Sequence, residues 1–198
     1  YGFLHALGCT LGLTKYHRAI GNNRKKDIVS ILEEYLKEHE AAEGTEDKTL
    51  HDTTVIDINH DCEYEEMTLH RTAEHTRAYI KIQDGCNQFC SYCVIPYARG
   101  RVRSRRAEDI LAEIEGMAKN GYREVVLTGI HISSYGIDSG ESKLMDLLEQ
   151  IHAVPGIDRI RIGSLEPRIV TRENAERMAA LPKLCPHFHL SLQSGCDE

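Results

Sequence analysis

The chain has 198 residues, a formal net charge of −7, and 41% hydrophobic and 28% charged residues. This composition is typical of a globular protein with enough apolar residues for a core, and the negative charge excludes a nucleic-acid-binding surface over the whole molecule. No apolar run approaches the roughly 18 residues of a membrane span and no secretory signal begins the chain, so we expect a cytoplasmic protein without membrane contact. The first residue is Tyr1 rather than Met, which indicates a fragment or a processed product.

The N-terminal part predicts one helix and then a linker. Apolar residues recur there at helical spacing, namely Ile28, Ile31, Leu32, Tyr35 and Leu36. Asn22 or Asn23 is suited to cap this helix, which is predicted to end near His39. Residues 41–76 are acidic and poor in apolar side chains, so they predict a linker with one short strand at 55–58.

From residue 77 onward, strand and helix patterns alternate. Strands are predicted at 79–83, 124–129, 159–165 and 187–192. Helices are predicted between them at 107–121, 142–154 and 172–181, the last capped by Thr171. Such alternation with short connections predicts parallel strands and right-handed crossovers. The fold class is therefore α/β, either an open doubly wound sheet or a complete or partial barrel.

A polar loop follows each predicted strand: the loop after residue 83, and residues 128–136, 164–167 and 193–198. In open α/β sheets and in barrels, chemistry gathers at the carboxyl ends of the parallel strands. The convergence of four such loops at one edge predicts an active site there.

Three of the seven cysteines, Cys86, Cys90 and Cys93, lie within one short stretch at C-x3-C-x2-C spacing. The other four are scattered singly: Cys9, Cys62, Cys185 and Cys196. An odd, uneven set of this kind is unlike a secreted disulfide framework and indicates a reducing compartment with a metal-binding cluster.

Three interpretations of the cysteine stretch are open. The thiols are buried on one helix face, although Gly85, Asn87 and Pro96 disfavour a regular helix there. Alternatively they bind zinc, which needs a fourth ligand from a distant part of the chain. In the third interpretation they hold a [4Fe–4S] cluster, whose fourth iron stays open to bind a reactant.

The spacing C-x3-C-x-aromatic-C resembles the signature of the radical S-adenosylmethionine (SAM) enzymes. More narrowly, "YIKIQDGCNQFCSYCVIPYARGRVRSR", "VVLTGIHISSYG", "RIGSLEP" and "HFHLSLQSGCDE" are similar, in order and spacing, to the threonylcarbamoyladenosine tRNA methylthiotransferases. The similarity covers about residues 20–198 and is most specific over 77–198. It implies a partial radical-SAM (β/α) barrel containing the first four strands, with residues 1–40 as a remnant of an N-terminal α/β domain, 41–76 as an acidic linker, and 77–198 as a core incomplete at its C-terminal end.

The resemblance also implies the chemistry. SAM chelates the open iron, an electron from the cluster splits its sulfonium bond, and the resulting radical takes hydrogen from an adenine C–H bond that then receives a methylthio group. The implied substrate is the modified adenosine beside the anticodon of tRNA, and a flavodoxin or ferredoxin system is the implied electron donor. Relatives carry a second cluster, but the surroundings of Cys9 do not support one here. The fragment is expected to be inactive alone.

Five residues are implied to bind the cofactor: Tyr92, Gly129, Glu166, Gln193 and Ser194. Tyr92 is expected near the adenine, with packing beneath the loop as its alternative. Gly129 is expected to let backbone approach the cofactor amine, with an ordinary turn as its alternative. Gln193 and Ser194 are expected to bond the ribose or the methionyl carboxylate. His187 and His189 share a strand face and are expected to line the barrel lumen rather than to bind metal.

The arginine run beside the cysteines includes Arg99, Arg101 and Arg103, which we expect to bind RNA, because arginine forks pair with phosphate. A solvated charged face is the alternative. Other substrates remain open within the same chemistry, namely isopentenyladenosine in tRNA or a ribosomal-protein aspartate. The non-enzymatic alternative is a zinc-stapled RNA-binding module.

Overall fold

A computed structural model describes residues 19–20, 25–40, 53–54, 58, 64–65, 76–140 and 143–196. The chain divides into two compact units, Tyr1–Asp57 and Ile58–Glu198. The later part of the predicted linker therefore belongs to the second unit, where the Tyr64 hydroxyl donates to the Lys81 carbonyl at 3.1 Å. The predicted domain limits at 40 and 76 stay predictions.

The first unit contains two short strands and the predicted N-terminal helix. Strands β1 (Ala19–Ile20) and β2 (Thr53–Thr54) pair in parallel. Helix α1 (Ile28–Glu40) confirms the helical pattern, although Ile31 is its buried apolar residue while Leu32 and Leu36 are about half exposed. The proposed caps Asn22 and Asn23 lie outside the described residues, as does the predicted strand at 55–58 except Ile58, which is a turn.

The second unit follows the predicted alternation. Its strands are β3 (Ala78–Asp84), β4 (Arg103–Ser104), β5 (Glu124–Gly129) and β6 (Arg159–Ile162). Its helices are α2 (Ile95–Arg99), α3 (Ala107–Lys119), α4 (Leu144–Ala153) and α5 (Arg172–Ala179). Thr171 caps α5 as predicted, because its hydroxyl accepts the N–H of Asn174 at 3.1 Å.

The sheet has the order β4-β3-β5-β6, with β3, β5 and β6 parallel and β4 antiparallel at the edge. On one face of the parallel strands Tyr79 is 47% exposed and Val126 is half-buried, so these strands are not buried on both faces. On the other face, alternate apolar residues are fully buried. They include Ile80, Leu127 and Ile160, which pack with residues of α3 and α4 such as Ile114 and Leu148. This core fixes the carboxyl edge of the sheet, from which the polar loops emerge.

The structure differs from the prediction at the fourth parallel strand. Residues 187–192 form no strand, and Leu190 makes a single parallel bridge to Leu165. The segment still follows the sheet direction, since Leu165 donates its N–H to His189 and accepts the N–H of Ser191. Strand β6 ends at Ile162, so no continuous ladder is available to order it. The α/β class is confirmed, with three parallel strands rather than the four expected of the partial barrel.

Among the described helices, none is both long enough and apolar enough to span a bilayer.

Candidate functional site at the carboxyl edge of the sheet

The cysteine loop leaves β3 at Asp84 and runs to the start of α2. It has no helix before Ile95, so the interpretation of three thiols on one helix face is wrong. Cys86 is buried at the base of the loop, Cys93 is half-buried and Cys90 is exposed. All three are free thiols. The loop therefore presents its sulfurs at different depths along an open turn.

The base of the loop is fastened to the segment that carries the arginines. Cys86 donates its N–H to the Gly100 carbonyl at 3.1 Å, and the Asn87 side chain accepts the N–H of Val102 at 3.1 Å. Gly85 has φ +72°, and a Cβ there would lie 1.8 Å from the Arg101 carbonyl oxygen. The two backbones approach too closely for any side chain at this position.

The arginine run divides into buried and exposed members. Arg103 is 4% exposed, and its guanidinium donates to the carbonyls of Arg99 and Arg101, at 3.0 and 3.5 Å, respectively. Arg99 is 3.7 Å from the Asp84 carboxylate. Arg101 is exposed, with its guanidinium carbon 4.5 Å from the centre of the Phe89 ring. Arg103 thus stabilises the backbone of the loop. Of the three arginines, Arg101 is the best placed to bind an anion from outside the protein.

Asp84 is a buried carboxylate directly before the cysteine loop. Burial acts to raise its pKa, but the hydrogen bond and charge of Lys81, with the Gly85 N–H and the Arg99 charge, outweigh burial and hold the pKa below its usual range. Asp84 is therefore ionised at neutral pH, and it ties the end of β3 to the first residue of the loop.

Gln83 joins two of the converging loops. It is fully buried, and its amide nitrogen donates to the carbonyls of Asp84 and Gly85 at 2.7 and 2.6 Å. Its amide oxygen accepts the N–H of His131 at 2.7 Å. Gly129 lies against it, because a Cβ there would be 3.1 Å from both the carbonyl and the side-chain oxygen of Gln83. The absence of a side chain at Gly129 therefore leaves room for Gln83 to pack against it.

A polar chain links the loop after β6 with the two other loops. Glu166 forms an ion pair with Arg168, whose guanidinium also donates to the Gln88 side chain at 3.0 Å. The second carboxylate oxygen of Glu166 is 3.5 Å from His131 Nε2. Glu166 also donates its N–H to the Ser133 hydroxyl at 3.0 Å. The structure thus places Glu166 at the site, with its carboxylate already paired.

The remaining predicted residues lie at the rim. The Tyr92 hydroxyl donates to the Gln193 side chain, which connects the cysteine loop with the last described segment. Ser194 accepts the N–H of Cys196 at 3.1 Å. His187 and His189 are both exposed, and His189 pairs with the Ser164 hydroxyl at 2.8 Å. The structure therefore places both histidines on the surface.

Sequence reasoning missed Gln83, Arg168 and His131. Gln83 was visible as a polar residue at the end of an apolar strand, which is a signal for a side chain that turns toward a site. Arg168 and His131 carried no local signal for a site, because Arg168 reaches Gln88 and His131 reaches Glu166 across different loops.

His131 provides a prediction about pH. Burial lowers its pKa, the Glu166 charge raises it and the Arg168 charge lowers it, with the net pKa below its usual value of 6.5. As pH falls below that value, the unfolded chain takes up a proton that the folded chain resists, so the free energy of unfolding decreases. In urea titrations across pH 7 to about 5, His131→Gln should flatten this decrease, whereas exposed His187→Gln should leave it unchanged. Equal slopes for wild type and His131→Gln would contradict the assignment.

The donor set fits a cluster better than a single ion. Within the described residues, no three His, Cys, Asp or Glu side chains are grouped closely enough to hold one metal ion. A [4Fe–4S] cluster distributes its thiolates over separate irons, so its ligands do not meet at one point. The Gln88 N–H donates to Cys86 Sγ at 3.5 Å, a type of contact that stabilises cluster sulfurs. Cys86, Cys90 and Cys93 would hold three of the four irons, and the fourth would have no ligand from this loop.

Residues 80–198 match the radical SAM superfamily, and the chain belongs to this family. Its cofactors are therefore a [4Fe–4S] cluster and SAM. This membership favours the cluster over the zinc-stapled module.

Curated relatives extend the similarity. The chain is 48% identical over 140 residues to "Threonylcarbamoyladenosine tRNA methylthiotransferase MtaB" of Chlamydia pneumoniae, covering 71% of this chain and 33% of the relative. It is 39% identical over 178 residues to the protein of the same name in Aquifex aeolicus, covering 90% and 41%. It is 48% identical over 121 residues to "tRNA-2-methylthio-N(6)-dimethylallyladenosine synthase" of Dictyoglomus thermophilum, covering 61% and 28%. The chain spans less than half the length of each.

Among solved structures, the radical SAM methyltransferase TsrM of Kitasatospora setae, with cobalamin and a [4Fe–4S] cluster bound, matches with a TM-score of 0.45 and 25% identity. This match covers 57% of this chain and 22% of TsrM.

Proposed function

We propose that the chain is the cluster-bearing part of a radical SAM tRNA methylthiotransferase, in which Cys86, Cys90 and Cys93 hold the [4Fe–4S] cluster. The observation that carries this is the position of three free thiols on one open loop, at the carboxyl edge of the sheet and inside the radical SAM segment. When bound, the cluster and SAM supply one-electron cleavage of the cofactor's sulfonium bond.

We further propose that the substrate is threonylcarbamoyladenosine beside the anticodon. The similarity to the Aquifex relative named for that nucleoside extends over 90% of the chain, whereas the similarity to the dimethylallyladenosine synthase covers 61%. The second candidate substrate is dimethylallyladenosine, because the chain is 48% identical to that synthase where the two align, against 39% to the Aquifex relative. A flavodoxin or ferredoxin donor and a cytoplasmic location belong to the same proposal.

The chain's own residues hold and orient the reactants. Gln83 and Asp84 fix the start of the cysteine loop, and the Gln88 N–H donates to the sulfur of Cys86. Tyr92 and Gln193 connect opposite sides of the rim, where an adenine and a ribose are proposed to bind. Gly129, Glu166 and Ser194 complete the proposed cofactor contacts. Arg101 and Arg99 are proposed to meet phosphate, with Arg103 supporting the backbone between them.

The test is anaerobic reconstitution with iron and sulfide. We expect about four irons and four sulfides per chain, lost in the Cys86→Ser/Cys90→Ser/Cys93→Ser variant and retained in a matched Cys185→Ser/Cys196→Ser variant. The reduced, reconstituted chain should then release 5′-deoxyadenosine from SAM. One zinc and no iron would overturn the proposal, and about eight irons would show that a second cluster forms.

The substrate is tested separately. RNA hairpins carrying threonylcarbamoyladenosine or dimethylallyladenosine are each added to the reduced chain, and cofactor cleavage is measured. Faster cleavage with the threonylcarbamoyl hairpin is expected. Faster cleavage with the dimethylallyl hairpin would instead favour the second candidate.

A further inference from the structure

An aromatic and cationic surface lies beside the exposed Cys90. Tyr97 is 65% exposed and Val94 is 67% exposed, although both side chains are largely apolar. Phe89 is half-buried between Tyr97 and Arg101. We call Phe89, Val94, Tyr97 and Arg101 the loop platform. Neither the cluster nor the proposed cofactor contacts use Phe89, Val94 or Tyr97.

The platform has an ordered geometry. Tyr97 packs edge-on against Phe89, with ring centres 5.5 Å apart and ring planes at 86°. The Arg101 guanidinium lies over the face of Phe89, at 4.5 Å from its centre. Phe89 thus holds both an exposed aromatic ring and an exposed guanidinium in fixed positions.

Phe89 also connects this surface to the cysteine loop. Its φ is +49°, which makes it the one non-glycine residue with positive φ among the described residues. A bulky residue in this conformation persists when its surroundings hold it. Here the rings and the guanidinium provide that packing, directly before Cys90. The platform therefore lies beside the proposed cluster and is coupled to its second ligand through the backbone.

We propose that Tyr97 and Arg101 form a stacking site for an unpaired base of the RNA substrate. This inference rests on the proposed function, since it names where that RNA is held. Proteins that bind single-stranded RNA combine exposed aromatic rings with arginine, because every base has a face that stacks and every nucleotide carries a phosphate. The chain has a net charge of −7, so a local cationic and aromatic surface is the kind of site through which it can bind a polyanion.

The test measures binding of the reconstituted chain to a fluorescein-labelled RNA hairpin with adenosine in its single-stranded loop. Tyr97→Ala should weaken binding about 10-fold, and Tyr97→Phe should bind within about 2-fold of wild type, because stacking needs the ring and not the hydroxyl. Tyr79→Ala is the matched control, since Tyr79 is a partly exposed tyrosine near the start of β3, whereas the cysteine loop follows the other end of that strand. Wild-type affinity for Tyr97→Ala would overturn the inference.

Arg101 has its own readout. Arg101→Ala should reduce the slope of log K against log salt by about 0.7, as expected for one phosphate contact to a single strand. Arg172→Ala, at an exposed arginine on α5, is the control and should not change the slope. An unchanged slope in Arg101→Ala would contradict the assignment of this residue.

The outcomes separate the inference from the proposed function. Tyr97-dependent RNA binding without iron incorporation would support the platform and refute the methylthiotransferase proposal. If the cluster and cofactor cleavage are normal but RNA affinity is insensitive to Tyr97→Ala, the proposed function is supported and the platform inference is refuted. If Tyr97→Ala slows reduction of the cluster by a flavodoxin and leaves RNA affinity unchanged, the platform is a protein-docking surface and the inference is wrong.

Discussion

Gly85→Ala is expected to lower the free energy of unfolding of the second unit by at least about 3 kcal/mol. Two costs combine at this position. An alanine resists φ +72°, and its Cβ would lie 1.8 Å from the Arg101 carbonyl oxygen, which is backbone and has no rotamer by which to move away. The Cys86–Gly100 hydrogen bond at the base of the loop should be lost with it.

Gly140→Ala is the matched control for this effect. Gly140 has φ +69°, but no atom of the described structure lies within 4 Å of a Cβ built there. It should therefore lose about 1–2 kcal/mol, the conformational cost alone. Urea unfolding gives both values, and iron content after reconstitution should fall in Gly85→Ala but not in Gly140→Ala. Equal losses of stability in the two variants would show that the clash with the Arg101 backbone adds nothing to the loss in free energy of unfolding.

Glu113→Ala is expected to destabilise the second unit by about 3–5 kcal/mol. Its carboxylate pairs with the Arg105 guanidinium, and the two side chains are 5% and 3% exposed. Removal of the carboxylate takes the Glu113 ion pair away from the buried Arg105 cation, and that pair offsets part of the cost of its desolvation. Arg105 also accepts the Tyr135 hydroxyl through its carbonyl at 2.8 Å, so the loss should spread from the start of α3 to the loop after β5.

Glu176→Ala supplies the comparison for an exposed pair. Glu176 pairs with Arg172 on α5, where the side chains are 69% and 93% exposed, and its removal should cost less than about 1 kcal/mol. The double variant Arg105→Met/Glu113→Leu should recover much of the stability that Glu113→Ala loses, because no charge then remains buried. Thermal unfolding measures all three, and a double variant as unstable as Glu113→Ala would contradict the explanation by desolvation.

The local elements were predictable from sequence because their signals are local. The apolar run at 124–129 became β5, the amphipathic pattern at 107–121 became α3 and Thr171 caps α5, as expected. The fourth strand was not predictable in this way. Residues 187–192 alternate as a strand should, but a strand needs a continuous partner, and β6 ends at Ile162 before it can supply one.

The predicted site depended on topology in the same way. Parallel strands bring their carboxyl ends to one edge, so the cysteines, Gly129 and Glu166 were expected to converge, and contacts now connect their loops. The partners in those contacts were not predictable. Gln83 accepts the N–H of His131, and Arg168 donates to Gln88, and each of these contacts joins residues that are far apart in the chain.

The sequence by itself determined the alternating α/β order, the three-cysteine loop with its radical SAM signature, and the edge of the sheet at which the polar loops converge. Each of these depends on spacing along the chain. Only the tertiary structure decided which arginines are buried, that Gly85 must lack a side chain, and that Phe89 holds Tyr97 and Arg101 beside Cys90. Those features arise where distant segments meet, and burial at such meetings is a property of the packed molecule rather than of any single stretch of sequence.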